Sequence, residues 1–186
     1  MIIQHTPIEG CFRIKPKIHS DQRGYFFECF NKHRFEEQTG VRTDFVQDNQ
    51  SYSQRGVLRG LHLQEGDHAQ AKLVTVLEGE VLDVAVDLRK GSDSFGKVFT
   101  TLLSGIDKSQ LFIPRGCAHG FVVLSNTATF FYKCDNYYHK DSEAGIIYND
   151  PKLKIDWHLP KEELILSEKD LLLPSFEDYT GKLSTT

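Results

Sequence analysis

The stretch Val81-Leu82-Asp83-Val84-Ala85-Val86-Asp87-Leu88 constrains the fold most, because its large apolar residues recur at every second position. Leu82, Val84, Val86 and Leu88 take one face and Val81, Asp83, Ala85 and Asp87 the other, the two-residue period of a β-strand. Short β-rich runs with turn residues between them fill most of the remaining chain: 12–18, 25–30, 45–52, 57–63, 72–77, 98–103, 110–113, 120–124 and 127–132. Glu78-Gly79-Glu80 reads as a hairpin connection between two of these runs. So many strands at this spacing predict an all-β sandwich or barrel, one jelly-roll domain over residues 1–186 with a few short peripheral helices. Asn31 is placed to cap a helix over Lys32–Thr39 that Gly40 ends. Ser167-Glu168-Lys169-Asp170 opens a second helical turn, stopped by Pro174.

A chain of 186 residues suits one domain that buries roughly 70% of its unfolded surface. A net charge of −4 argues against a general grip on nucleic acid, so a positive field for an anionic ligand has to be local. Cys11, Cys29, Cys117 and Cys134 lie far apart in apolar runs without a C-x-x-C pair, which predicts buried thiols in a reducing cytoplasm. The first residues carry no signal-peptide pattern, and no apolar run approaches the ~20 residues of a membrane span. The expectation is a cytoplasmic protein with no membrane partner.

Against this apolar strand background three cations stand out: Arg59, His62 and Lys72, in Val57-Leu58-Arg59-Gly60-Leu61-His62 and Gln70-Ala71-Lys72-Leu73-Val74. Cationic side chains are rarely buried without a partner, so this grouping points to an anion, or to a developing negative charge. His62 is the candidate base, since an imidazole can take a proton from carbon and return it near neutral pH. The alternative is a core His bonded to a backbone carbonyl. Strict alternation puts Arg59 and His62 on opposite faces, and they reach one cavity only if Gly60 marks a bulge.

Pro114-Arg115-Gly116-Cys117-Ala118-His119 has the P-x-G-x-x-H spacing of the second cupin motif. The H-x-H of the first motif is missing, because Leu63 and Gln64 follow His62; the expectation is no metal. His119 reads either as a hydrogen-bonding group in the cavity or as a turn His packed under a loop. Tyr132 reads as a general acid whose pKa a nearby cation lowers, or as a half-buried strand tyrosine. Asp21 and Arg23 read as a surface ion pair. Asp170 closes a loose capping box with Ser167, or else orients His62 and steadies its imidazolium.

In order along the chain, Arg23-Gly24-Tyr25-Phe26-Phe27-Glu28, Gln47-Asp48-Asn49-Gln50-Ser51, Leu58-Arg59-Gly60-Leu61-His62, Gln70-Ala71-Lys72-Leu73-Val74, Asp83 to Gly91, Ile113 to Phe121, Tyr132-Lys133 and Ser167-Glu168-Lys169-Asp170 resemble the dTDP-4-dehydrorhamnose 3,5-epimerase family. These are metal-free cupins of the dTDP-L-rhamnose pathway. The resemblance implies inversion of C3 and C5 of dTDP-4-keto-6-deoxy-D-glucose, with no cofactor. It implies that His62 removes the C5 and then the C3 proton, that Asp170 holds His62 in the useful tautomer with Asp83 as a helper, and that Lys72 stabilises the enolate oxygen at C4. Tyr132 returns a proton from the opposite face. Arg59 and His119 contact the sugar or its phosphates, and Arg23, Glu28, Gln47, Asn49, Glu143 and Lys169 match nucleotide-sugar contacts. Tyr138 matches a thymine-stacking aromatic. A homodimer is implied, with Arg23, Phe26 and Glu28 reaching into the partner's site. Cys29 and Cys117 depart from the pattern, at positions without a catalytic role.

Three other readings compete. A relative that epimerises only C3 or only C5 would use the same acid and base. A metal-dependent cupin would need the missing ligand motif, and a non-catalytic sugar-binding jelly roll would need neither base nor enolate stabiliser.

Overall fold

The structure, a computed structural model, describes residues 1–182. Two antiparallel sheets face each other. The six-stranded sheet runs in the order β1 (Ile2–His5), β2 (Phe12–Lys15), β10 (Gln110–Ile113), β7 (Lys72–Glu78), β12 (Thr127–Cys134), β5 (Gln47–Gln54). The five-stranded sheet runs β13 (Glu143–Gly145), β6 (Leu58–Gln64), β11 (Cys117–Val123), β8 (Glu80–Asp87), β9 (Val98–Ser104). A separate two-stranded arm, β3 (His19–Asp21) with β4 (Gly24–Phe26), stands apart from both. This is the expected cupin-type jelly roll.

The alternation in β8 sorts its residues between two apolar layers. Val81 and Ala85 join Val74, Val76, Leu111, Phe121 and Phe130 between the sheets. Leu82, Val84, Val86 and Leu88 face outward. There they lie under Ile146, Tyr148, Leu153, Trp157 and Tyr179, so the chain after β13 acts as a cover for the five-stranded sheet. A third layer, with Phe12, Ile14, Leu73 and Phe112, packs against Phe35 of α1 (Lys32–Thr39) on the outside of the six-stranded sheet. As expected, the Asn31 side chain accepts from the Arg34 N–H and Gly40 ends the helix in a left-handed conformation.

Several expectations change. Glu78-Gly79-Glu80 is not a hairpin, because β7 and β8 belong to different sheets. Both edges of β8 are taken by β11 and β9, which leaves β7 nothing to pair with. Gly79 instead carries the chain from one sheet to the other at φ +82, where a Cβ would stand 2.1 Å from the Thr127 carbonyl oxygen. The strand expected over 25–30 ends at Phe26, and Cys29 is exposed, unlike the three buried cysteines. Strand β1, the α2 turn (Glu168–Leu171) and helix α3 (Phe176–Lys182) complete the described fold, with three short 3-10 turns.

Candidate active site

The bulge anticipated at Gly60 is present. His119 lies opposite His62 and Phe121 opposite Arg59, so two steps along β11 match three along β6. The extra residue resets the alternation. Leu58, Leu61 and Leu63 all join the outer layer, while Arg59 and His62 both line the space between the sheets. The strands cross closely here. A Cβ on Gly60 would stand 2.5 Å from Gly120 Cα, and one on Gly120 would stand 2.8 Å from the Arg59 carbonyl oxygen. Both positions therefore require glycine.

The resulting cleft, of about 570 Å³, is walled by both sheets. His62, Arg59 and His119 come from the five-stranded sheet, and Lys72, Tyr132 and Asn49 from the six-stranded sheet facing it. Phe121 and Phe130 form its apolar floor, and Ile165, Leu166, Lys169 and Asp170 close one side. The imidazole and the phenol thus approach a shared volume from opposite walls, with the Lys72 ammonium opening onto the same space.

Each histidine has its own carboxylate. His62 Nε2 lies 2.6 Å from Asp170 Oδ1, a contact across 108 residues of sequence. Ser167 caps α2 by accepting from the Asp170 N–H, but the Asp170 side chain is turned to His62 and does not complete a reciprocal capping box. Burial works against ionisation of Asp170; the His62 hydrogen bond and charge, the Gly60 N–H and Ser167 outweigh it and hold the carboxyl below its ordinary value. His119 Nε2 lies 3.0 Å from Asp83 Oδ2. The expected help of Asp83 to the His62–Asp170 pair is therefore corrected: its hydrogen bond goes to His119, which sits in a strand and faces the cleft.

Burial pushes Lys72 below its ordinary value, with Cys134, Asp83 and Glu143 opposing. Among the described residues no carboxylate lies within ion-pair distance of its ammonium. The expected lowering of the Tyr132 pKa is also corrected. Burial raises it, Cys134 and Glu143 add to that, and Arg59 only partly offsets the rise. Tyr132 is accordingly a neutral phenol over the ordinary pH range, the form that can donate a proton. Arg59 donates from Nε and a terminal nitrogen to Ser53 Oγ at 3.3 Å, a support the sequence reading missed.

Gln47, Asn49, Tyr138 and Glu143 border an adjoining depression that shares His62, Lys72 and Tyr132 with the cleft. Tyr138 donates its hydroxyl to Glu143 Oε2 at 2.8 Å, Lys169 Nζ sits 2.5 Å from the same oxygen, and Gln47 donates to Asn49 Oδ1. Burial of Glu143 is outweighed by Lys169, Tyr138 and the His62 charge, which keep it below its ordinary value. The Tyr138 ring stays half exposed over this rim.

Arg23, Phe26 and Glu28 are not brought to this cleft. Arg23 forms the expected surface pair with Asp21 at 2.5 Å, with its side chain 85% exposed. Phe26, at the end of the arm, is 73% exposed. Glu28 accepts from Asn31 at 3.2 Å, and with Phe26 it lines a different depression, next to Met1 and Arg34.

A family model described as dTDP-4-dehydrorhamnose 3,5-epimerase matches residues 5–178. The dTDP-4-dehydrorhamnose 3,5-epimerase of Escherichia coli K12 is 51% identical over 171 residues, 91% of each chain. The crystal structure of the enzyme of that name from Elizabethkingia anophelis NUHP1 superposes with a TM-score of 0.94 at 56% identity, covering 97% of this chain and 98% of that one. The dTDP-6-deoxy-D-glucose-3,5-epimerase of Legionella pneumophila Philadelphia 1, solved with dTDP-4-keto-L-rhamnose, gives a TM-score of 0.89 at 52% identity, over 94% of this chain and 92% of its own. The match along nearly the whole length, in sequence and in fold, establishes that this chain belongs to the dTDP-4-dehydrorhamnose 3,5-epimerase family of enzymes.

Proposed function

We propose that the protein inverts C3 and C5 of dTDP-4-keto-6-deoxy-D-glucose to give dTDP-4-keto-L-rhamnose, by proton abstraction next to the C4 ketone. The observation that carries this reading is the cleft itself: an imidazole and a phenol on facing sheets, with an ammonium opening between them. A ketone acidifies the hydrogens on its neighbouring carbons, and the electron pair left by each proton moves onto the C4 oxygen as an enolate. A base and an acid on one face would restore the original configuration. Groups on opposite faces invert it.

In this reading His62 takes the proton from C5 and then from C3, and Asp170 holds the ring so that its free nitrogen faces the sugar. Lys72 meets the oxyanion at C4, where charge develops in each step. Tyr132 gives a proton to the carbon from the other wall. Each cycle removes one proton and adds one without a change in oxidation level, so the chemistry calls for no redox cofactor. Arg59 and His119 hold the sugar or its phosphates. Gln47, Asn49, Glu143 and Lys169 hold the nucleotide-sugar, and the half-exposed Tyr138 stacks on the base. Arg23, Phe26 and Glu28, which point away from their own cleft, serve the cleft of a second copy in a homodimer. The proposed setting is the cytoplasm, without nucleic-acid or membrane partners.

Incubation with the 4-ketosugar in D₂O tests the reading. Deuterium at both C3 and C5 of the product is the expected result. Deuterium at a single carbon would reassign the protein to a C3-only or C5-only epimerase of the same family. Bound ketosugar with no deuterium at either carbon would overturn the catalytic reading.

A further inference from the structure

Asp83 has the least accommodating surroundings of any carboxylate near the cleft. It is fully buried on β8, between Val81 and Ala85, in the apolar layer that separates the sheets. Its Oδ2 has one partner, His119 Nε2 at 3.0 Å, and its Oδ1 has none among the described residues. A buried carboxylate left half satisfied is costly, and a fold that only needed to fill this position would place an apolar residue there. Asp170 makes a contrast, since its carboxylate takes a 2.6 Å hydrogen bond from His62 and neither of its oxygens is left buried without a partner among the described residues.

Two cleft-lining side chains are within reach of the influence of Asp83. His119 is in direct contact with it and lines the cleft, as does Lys72. The charged and titratable groups around Lys72 are Cys134 and Tyr132 on β12, Asp83 on β8, Glu143 on β13, Arg59 and His62 on β6, His119 on β11, and Lys169 and Asp170 at α2. Glu143 is already engaged by Lys169 and Tyr138, whereas Asp83 keeps one oxygen without a donor.

We propose that Asp83 is a positioning residue for the reaction: it anchors the His119 ring against the cleft wall and supplies the buried negative charge that sustains the Lys72 ammonium. The assignment rests on the epimerase reading above. Asp83 touches no substrate in this account and acts through His119 and Lys72. The field it exerts on Lys72 opposes the effect of burial, which disfavours the ammonium.

Asp83→Asn keeps the volume and a possible acceptor for His119 while removing the charge. The expected result is a folded protein with kcat reduced on the order of tenfold to a hundredfold, less than for loss of a group that touches the oxyanion. The alkaline limb of its kcat–pH profile should move to lower pH, because a cation that loses a neighbouring anion gives up its proton sooner. Asp83→Leu, which also loses the anchor, should raise KM as well. A folded Asp83→Asn variant with an unmoved alkaline limb would overturn the proposal, whatever its rate. The wild-type protein offers a reading independent of those variants. Nitrogen-15 NMR of its histidines should show two exchange-protected, downfield ring N–H signals, one lost in His119→Asn and the other in His62→Asn. Absence of the His119 signal would overturn the anchor. Wild-type protein that exchanges no deuterium into the ketosugar would fail the functional reading instead.

Discussion

The cleft and the β3–β4 arm carry residues that the family pattern groups together, yet they differ physically in almost every respect. Cleft side chains stand on strands paired along both edges and each is held by a side chain from another element: His62 by Asp170, His119 by Asp83, Arg59 by Ser53. On the arm, Arg23 and Phe26 are largely exposed, and among the described residues Arg23 bonds to Asp21 alone, two residues away. The contrast teaches that groups for acid–base chemistry are fixed in a rigid frame, whereas the exposed arm is free to serve the second copy proposed above.

The largest expected effect comes from removing the acid. Tyr132→Phe should lower product formation by about 10²–10⁴, the usual contribution of a positioned proton donor, while His62 still exchanges deuterium into the substrate. Loss of exchange together with product formation would make the two walls one functional unit and break the opposite-face account. Lys72→Ala should lower kcat by about 10²–10³ with the fold intact by circular dichroism. An undiminished rate would contradict its enolate role. The arm is sharpened by complementation. Arg23→Ala and His62→Asn chains, each poorly active, should regain roughly a quarter of wild-type activity when co-expressed, since half of the resulting dimers carry one intact site. No recovery would return the arm to a purely surface role. The smallest effect concerns stability. The carboxyl of Asp170 is held below its unfolded value, so its contribution is present above the unfolded value and fades as pH falls through the folded one. Asp170→Asn should therefore flatten the acid side of a melting temperature–pH curve; an unchanged slope would remove that linkage.

The sequence was most legible where periodicity was unbroken. The faces of β8 are as its alternation predicts, and α1 has the expected cap and stop. It was least legible where a contact spans the chain. The pairing of Asp170 with His62 leaves no local trace beyond a weak capping pattern, and Asp83 gives no sign of having His119 as its partner. Irregular segments were opaque as well. Tyr148, Leu153 and Trp157 are buried without strand or helix period, because they cover a sheet from loops. The Gly79 signal was misread for a related reason. Glycine marks the tight reversal but does not say which sheet the chain enters next.

The hydrogen bond between His62 and Asp170 joins the first third of the chain to its last tenth. The ammonium of Lys72 and the phenol of Tyr132 are carried on strands of the facing sheet and need no such distant partner to be placed. The orientation of the imidazole therefore hangs on a short helical turn far along the chain, so a lesion in that turn reaches the base without touching the strand that bears it.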